Sequence, residues 1–194
     1  MTLNPLACAV FLVVTFAAAG VLHVLWMASP ISAHLASPLD GGRRFRGRRV
    51  FGDNKTWRGF AVMVPACAVA FLAFSVLRPA LPSWLAQGVW NLPVPGYFAL
   101  GLWAGLGFMA GELPNSFVKR QLGVAPGAAP ARGWQRPFFA CADRIDSILG
   151  MLVALAIVVP VPPLAWLYVL IVGPAIHALF SAGLYLVGAK ARPA

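Results

Sequence analysis

Apolar residues fill this chain in long, even blocks, unlike the alternation of a half-buried strand or the one-sided stripe of a soluble helix. Five blocks stand out, at residues 6–27, 59–77, 94–110, 138–159 and 164–188. A helix rises about 1.5 Å per residue, so about 20 residues cross a hydrocarbon layer of roughly 30 Å. The pattern predicts an all-α integral membrane protein, a single domain over 1–194 built as a bundle of about five transmembrane helices. The third block is short, but Gly101, Gly105, Gly107 and Gly111 fall at four-residue spacings that let helix backbones approach closely. The fourth carries Asp143, Arg144 and Asp146 in its first third. Gly173-Pro174 marks a kink in the fifth, because proline removes a helical hydrogen bond. The first block lacks a basic leading region and is longer than a signal-peptide core, which predicts a retained helix.

Composition strengthens this picture. Of 194 residues, 60% are hydrophobic and 10% charged, which excludes an ordinary water-soluble domain. Cys8, Cys67 and Cys141 are an odd number in or beside apolar segments, which argues against a disulfide framework. Arg outnumbers Lys 12 to 3 and alanine is abundant, as in GC-rich bacterial genomes.

Charge orients the chain. Arg43, Arg44, Arg46, Arg48, Arg49, Lys55 and Arg58 lie between the first two blocks; Lys119, Arg120, Arg132 and Arg136 lie between the third and fourth. Lys190 and Arg192 close the tail, and the remaining loops hold only Arg78. Basic residues collect on the cytoplasmic side, so both basic loops and the carboxyl terminus are expected inside and the amino terminus outside. The net charge of +10 is explained by this rule and by attraction to membrane lipids, and does not point to nucleic acid.

All five carboxylates, Asp40, Asp53, Glu112, Asp143 and Asp146, sit in or beside the two basic segments. Asp143 and Asp146 are three apart, hence on one helix face, where two like charges repel. A divalent cation would offset that repulsion, and Mg²⁺ suits a site that shares its coordination with water and phosphates. Neutralisation by Arg144, Lys119 or Arg120 in a structural network is the other reading. Glu112, at the inner end of the third block, is either an interfacial anchor or a supporting ligand.

The block Gly52-Asp-Asn-Lys-Thr-Trp-Arg-Gly59 combines free backbone with donors from Asn54, Lys55, Thr56 and Arg58. It is not a P-loop, because Asp53-Asn54 precede Lys55-Thr56 where that motif needs Gly-Lys directly. The arginines from Arg43 to Arg49 read first as an orientation signal and lipid-surface patch. His177 reads as a packing residue, and His23 and His34 have no evident partner.

Ser116-Phe-Val-Lys-Arg120 followed by Asp143-Arg-Ile-Asp-Ser147 resembles the signature of the phosphatidate cytidylyltransferases. The shorter chain, the Gly52–Gly59 block and Leu122-Gly-Val-Ala-Pro-Gly127 look more like the CDP-archaeol synthase branch. The resemblance covers roughly residues 38–150. Residues 121–142 depart from the larger family, lacking its Lys-Asp pair and its Pro-Gly-His-Gly-Gly run, which puts a diacyl substrate in doubt. The resemblance implies an enzyme that joins CTP to a lipid phosphate with Mg²⁺, releasing pyrophosphate. It implies Asp143 and Asp146 as metal ligands supported by Glu112. Lys119, Arg120 and Ser116 would contact phosphates, and Asp53, Asn54, Lys55, Thr56 and Arg58 would form the other wall of the nucleotide site. A homodimer is compatible with this.

Two other classes compete. A CDP-alcohol phosphotransferase element would start at Asp40-Gly41, but Arg44 and Phe45 occupy its Ala and Arg positions. A non-catalytic lipid-binding or small transport protein would show inverted repeats or midplane charges, and neither is visible.

Overall fold

The structure, a computed structural model, describes residues 3–128 and 133–188, so Arg132, Lys190 and Arg192 lie outside the described residues. Six α-helices occur along them: α1 (Pro5–Ala28), α2 (Trp57–Leu77), α3 (Ser83–Ala86), α4 (Val94–Gln121), α5 (Gln135–Val158) and α6 (Pro163–Leu186). A two-stranded hairpin, β1 (Arg44–Phe45) with β2 (Arg48–Arg49), interrupts the first long loop. The all-helical class matches the hydropathy pattern.

Four helices, α1, α2, α4 and α6, are long and apolar enough to cross a membrane. The fourth expected span is α5, which has the length at 24 residues, but Arg136, Asp143, Arg144 and Asp146 keep its first half polar. Its apolar half, from Ser147 onward, packs into the bundle. Outward-facing Ile157 and Leu179 are 70% and 72% exposed, a surface suited to lipid rather than water. α6 runs unbroken through Pro174.

Phe11 of α1 is the centre of the core. Its ring meets Phe71, Phe74, Trp90 and Tyr97 edge-on at centroid distances of 4.6 to 6.3 Å, the geometry that aromatic quadrupoles favour. The polar atoms of these rings are satisfied: Trp90 Nε1 donates to Pro160 O at 2.8 Å, and Tyr97 Oη donates to Trp90 O at 2.5 Å.

Glycines set how the helices meet. A Cβ at Gly101 would lie 2.6 Å from Ala68 Cα of α2, and one at Gly111 would lie 2.9 Å from Gly150 Cα of α5. α4 therefore touches both neighbours backbone to backbone, through two small-residue seams.

The largest departure from the sequence reading is at the end of α4. The helix was expected to stop near Ala110, but it continues to Gln121 and takes in Pro114. Proline lacks the N–H and strains the turn before it, yet the surrounding contacts hold the helix together. Glu112, Asn115, Ser116, Lys119 and Arg120 are thus helical side chains, fixed in register rather than carried on a loop.

Candidate functional site

The carboxyl end of α4, the amino end of α5, the start of α2 and the 36–56 loop meet at one end of the bundle. The loop is a closed unit. Its stem is pinned by Leu39 N donating to Lys55 O at 2.8 Å and Trp57 N donating to Ser37 O at 3.1 Å. Arg46 and Gly47 both take positive φ, the tight-turn geometry that joins β1 to β2.

Asp40 holds this loop together. Its carboxylate accepts from Arg49 Nε at 3.3 Å and Nη2 at 2.6 Å, and from the amides of Gly42 at 3.1 Å, Phe51 at 2.9 Å and Gly52 at 3.0 Å. Burial alone would raise its pKa, but the Arg49 and backbone hydrogen bonds outweigh that and hold it well below the usual carboxylate range. The hairpin docks on α4 through Phe45 against Phe117, with centroids 5.7 Å apart, and Arg48 donates to Gln121 O.

Closing the loop delivers Lys55 to Glu112, and the two form an ion pair. Burial disfavours the Lys55 ammonium, but the adjacent Glu112 charge prevails and raises its pKa. The other Glu112 oxygen accepts from Ser147 Oγ at 2.8 Å, which ties α5 into the same cluster.

One helical turn further, Asn115 Nδ2 donates to Asp143 Oδ1 at 2.6 Å and to Asp146 Oδ2 at 2.8 Å. Lys119 pairs with Asp143. The two acids thus converge on one amide group, each accepting one of its N–H bonds. Asp143 is exposed and Asp146 half-buried. Among the described residues, no three His, Cys, Asp or Glu side chains gather as a metal-binding group. The donor set is a carboxylate pair with neighbouring amide and ammonium.

Arg120 is buried at 7% exposure, and its Nε and Nη1 have no hydrogen-bond partner. Unmet donors on a buried guanidinium are costly, so they mark Arg120 as a candidate contact for an anion. Gly52 covers it at φ +94°, where a Cβ would come within 2.8 Å of Pro126 Cγ and 3.1 Å of Arg120 Nη1, so only glycine fits. Ser116 is buried on the same helix.

The expected residues are only partly united. Lys55, Glu112, Lys119, Arg120, Asp143 and Asp146 lie at this end of the bundle, but not as one set. Glu112 meets Lys55 and Ser147, whereas the acid pair meets Asn115 and Lys119. Asp53 is exposed and held by Arg49 Nη1 at 2.6 Å. Asn54 is exposed, and Thr56 precedes α2 without a side-chain capping bond. Arg58 contributes its carbonyl to Trp26 Nε1 at 3.2 Å. Asp40 and Asn115 went unassigned in the sequence. The Asp-Gly-Gly turn was a signal for the first, and the shared face of Glu112, Asn115 and Lys119 was one for the second.

A family profile described as "CarS-like: CDP-archaeol synthase" matches residues 21–193. The chain belongs to the CDP-archaeol synthase family. The family match takes in the loop, the end of α4 and the start of α5, so every element of the cluster lies inside it. Two archaeal relatives, each described as "CDP-archaeol synthase", are similar over most of their length. The Halobacterium salinarum protein is 36% identical over 166 residues, covering 80% of this chain and 82% of its own. The Thermococcus gammatolerans protein is 31% identical over 170 residues, covering 86% and 87%. No solved structure matches the chain.

Proposed function

We propose that this end of the bundle faces the cytoplasm and is where CTP and an ether-lipid phosphate are joined with the help of Mg²⁺. As a CDP-archaeol synthase family member the chain is a membrane cytidylyltransferase: it passes a cytidylyl group from CTP to a lipid phosphate and forms a CDP-activated lipid. A lipid-phosphate oxygen forms a new bond to the α-phosphorus of CTP, the bond to the β-phosphate oxygen breaks, and pyrophosphate leaves. The lipid phosphate is already an anionic nucleophile, so no base is needed to create one.

The observation that carries the site assignment is the convergence of Asp143 and Asp146 on one Asn115 nitrogen, beside Lys119 and the unpartnered donors of Arg120. Two carboxylates converging on one donor group suit Mg²⁺, which takes few protein ligands and leaves the rest to water and phosphate. When bound, the ion neutralises triphosphate charge as the leaving group departs. Asp143 and Asp146 hold it, and Asn115 keeps their oxygens aligned. Lys119 and Arg120 bind phosphate oxygens, with Ser116 beside them. Glu112 holds Lys55 in place, so that Lys55, with Asn54, Thr56 and Arg58, forms the opposite wall. Asp53 steadies that wall through Arg49.

The test is pyrophosphate release by detergent-purified protein given CTP, Mg²⁺ and a panel of diacyl, dialkyl and isoprenoid glycerol phosphates. Release with the isoprenoid or dialkyl lipids, lost when Mg²⁺ is chelated, supports the reading. Silence with every lipid, or release with diacyl lipids alone, overturns the ether-lipid assignment.

A further inference from the structure

The hairpin at the tip of the 36–56 loop takes no part in the acid cluster, and its charge is extreme. Arg43, Arg44, Arg46 and Arg48 are all exposed. The loop's two carboxylates, Asp40 and Asp53, both pair with Arg49. Among the described residues, none of the other four arginines forms an ion pair with a carboxylate. The strand register sets Arg44 directly opposite Arg49, and like charges placed so are destabilising. Arg46 takes φ +51° in the turn, a position that favours asparagine or glycine because a longer side chain is crowded there. Its guanidinium lies 5.3 Å from the centre of the Phe45 ring. The fold needs a turn at this point but no arginine, so the positive charge at the tip calls for another reason.

The docking of the hairpin shows what that charge faces. Phe45 packs on Phe117, and Arg48 donates to Gln121 O. At about 100° per residue, Phe117 and Gln121 share a face of α4 that is about 160° away from Asn115 and Lys119. The hairpin therefore sits on the far side of α4 from the acid pair. Val118 and Leu122, beside its docking residues, are exposed apolar side chains, and Phe45 itself is 47% exposed. Ile31, Trp57, Trp134 and Phe138 are also exposed at this end of the bundle, as in the aromatic and apolar belt of a membrane boundary. Guanidinium groups among exposed apolar side chains, turned away from the acid pair, fit phosphates at a bilayer surface better than a nucleotide in the site.

We propose that the hairpin arginines dock on the headgroups of anionic membrane lipids, and that the lipid surface holds the 36–56 loop closed against α4. Headgroup phosphates relieve the repulsion among the arginines and accept hydrogen bonds from their guanidinium groups. Lifting the hairpin off Phe117 and Gln121 would loosen the loop that delivers Lys55 to Glu112, so the lipid acts on the site without touching it. The docking itself does not depend on which reaction the site performs; its effect on turnover rests on the cytidylyltransferase reading.

The experiment places the full chain in nanodiscs of phosphatidylcholine, alone or mixed with phosphatidylglycerol, and follows amide exchange without CTP. The reporter is Val50, whose N–H donates to Arg43 O at 3.1 Å and closes the hairpin. Its protection should be about tenfold higher in the anionic discs, and high salt should remove the gain. A triple variant, Arg43→Gln, Arg44→Gln and Arg46→Gln, shown to be folded by thermal unfolding, should not respond to lipid charge. The matching triple replacement by lysine keeps the charge and should keep most of the response. Equal protection in the two kinds of disc, or a full gain in the glutamine variant, overturns the docking. A gain produced by CTP in neutral discs and absent with anionic lipid would make this a nucleotide surface and overturn the lipid assignment. Turnover should rise with anionic lipid in wild type and not in the glutamine variant; a protection gain with unchanged turnover overturns the link to the site. A protection gain in protein that turns over no lipid phosphate would support the docking and sink the reaction.

Discussion

Arg49 touches two carboxylates that differ in almost everything else. The Asp40 side chain is 1% exposed and filled with hydrogen bonds from backbone and guanidinium; that of Asp53 is 70% exposed and pairs with Arg49. The contrast extends to the acids on α5, where, among the described residues, Asp143 and Asp146 are held by Asn115, Lys119 and the neighbouring Ser147. A carboxylate saturated with backbone donors has no capacity left for a ligand and serves the fold. One held mainly by side chains keeps the capacity to exchange them for a ligand. Position in a charged loop does not separate these roles, whereas the identity of the donors does.

Breaking the exchangeable member should have the largest effect. Asp146→Asn keeps the size and removes the charge, so turnover should fall by about 100-fold or more while thermal unfolding in detergent stays unchanged. Normal turnover would remove Asp146 from the site. Asp40→Ala strands Arg49 and three loop amides that lose their acceptor, which loosens the loop. The expected result is protease cleavage at the hairpin arginines and a smaller loss of turnover, about tenfold, because Lys55 is no longer delivered to Glu112. Asp53→Ala removes a surface ion pair worth about 0 to 1 kcal/mol, so turnover should stay within about twofold. A loss as large as that of Asp40→Ala would mean that Asp53 contacts substrate.

The smallest effect concerns pH. Asp40 is depressed in the folded loop, so its contribution is complete above the unfolded carboxylate value of about 3.9 and is lost only as pH falls below it. Amide exchange protection at Phe51 and Gly52, corrected for intrinsic rates, should be flat from about pH 8 to 5 and decline below about pH 4. A decline beginning near neutrality would point to a different group.

The helices were legible because hydropathy over some 20 residues is a strong signal, and the boundaries of α1 and α6 fall within two residues of expectation. The end of α4 was not, since the apolar block stops at Ala110 while the helix runs on to Gln121. The contacts that its last turns make with Phe45, Lys55 and α5 favour continuing the helix. Among site residues, Asp143 and Asp146 were legible because their spacing on a helix is local information. The Lys55–Glu112 pair joins residues 57 positions apart, and no local pattern encodes it.

The Gly111–Gly150 contact has a consequence for manufacturing tolerance. Where two helices meet through interlocking side chains, a change of rotamer can shift one along the other. Here backbone rests on backbone, and there is no rotamer to adjust. Asn115 stands one turn beyond that contact on α4, and Asp146 one turn before it on α5. The distance between them is gauged by two bare peptide surfaces. The alignment of the acids can therefore survive wide drift in the lipid-facing residues, but not a single added methyl group at the seam.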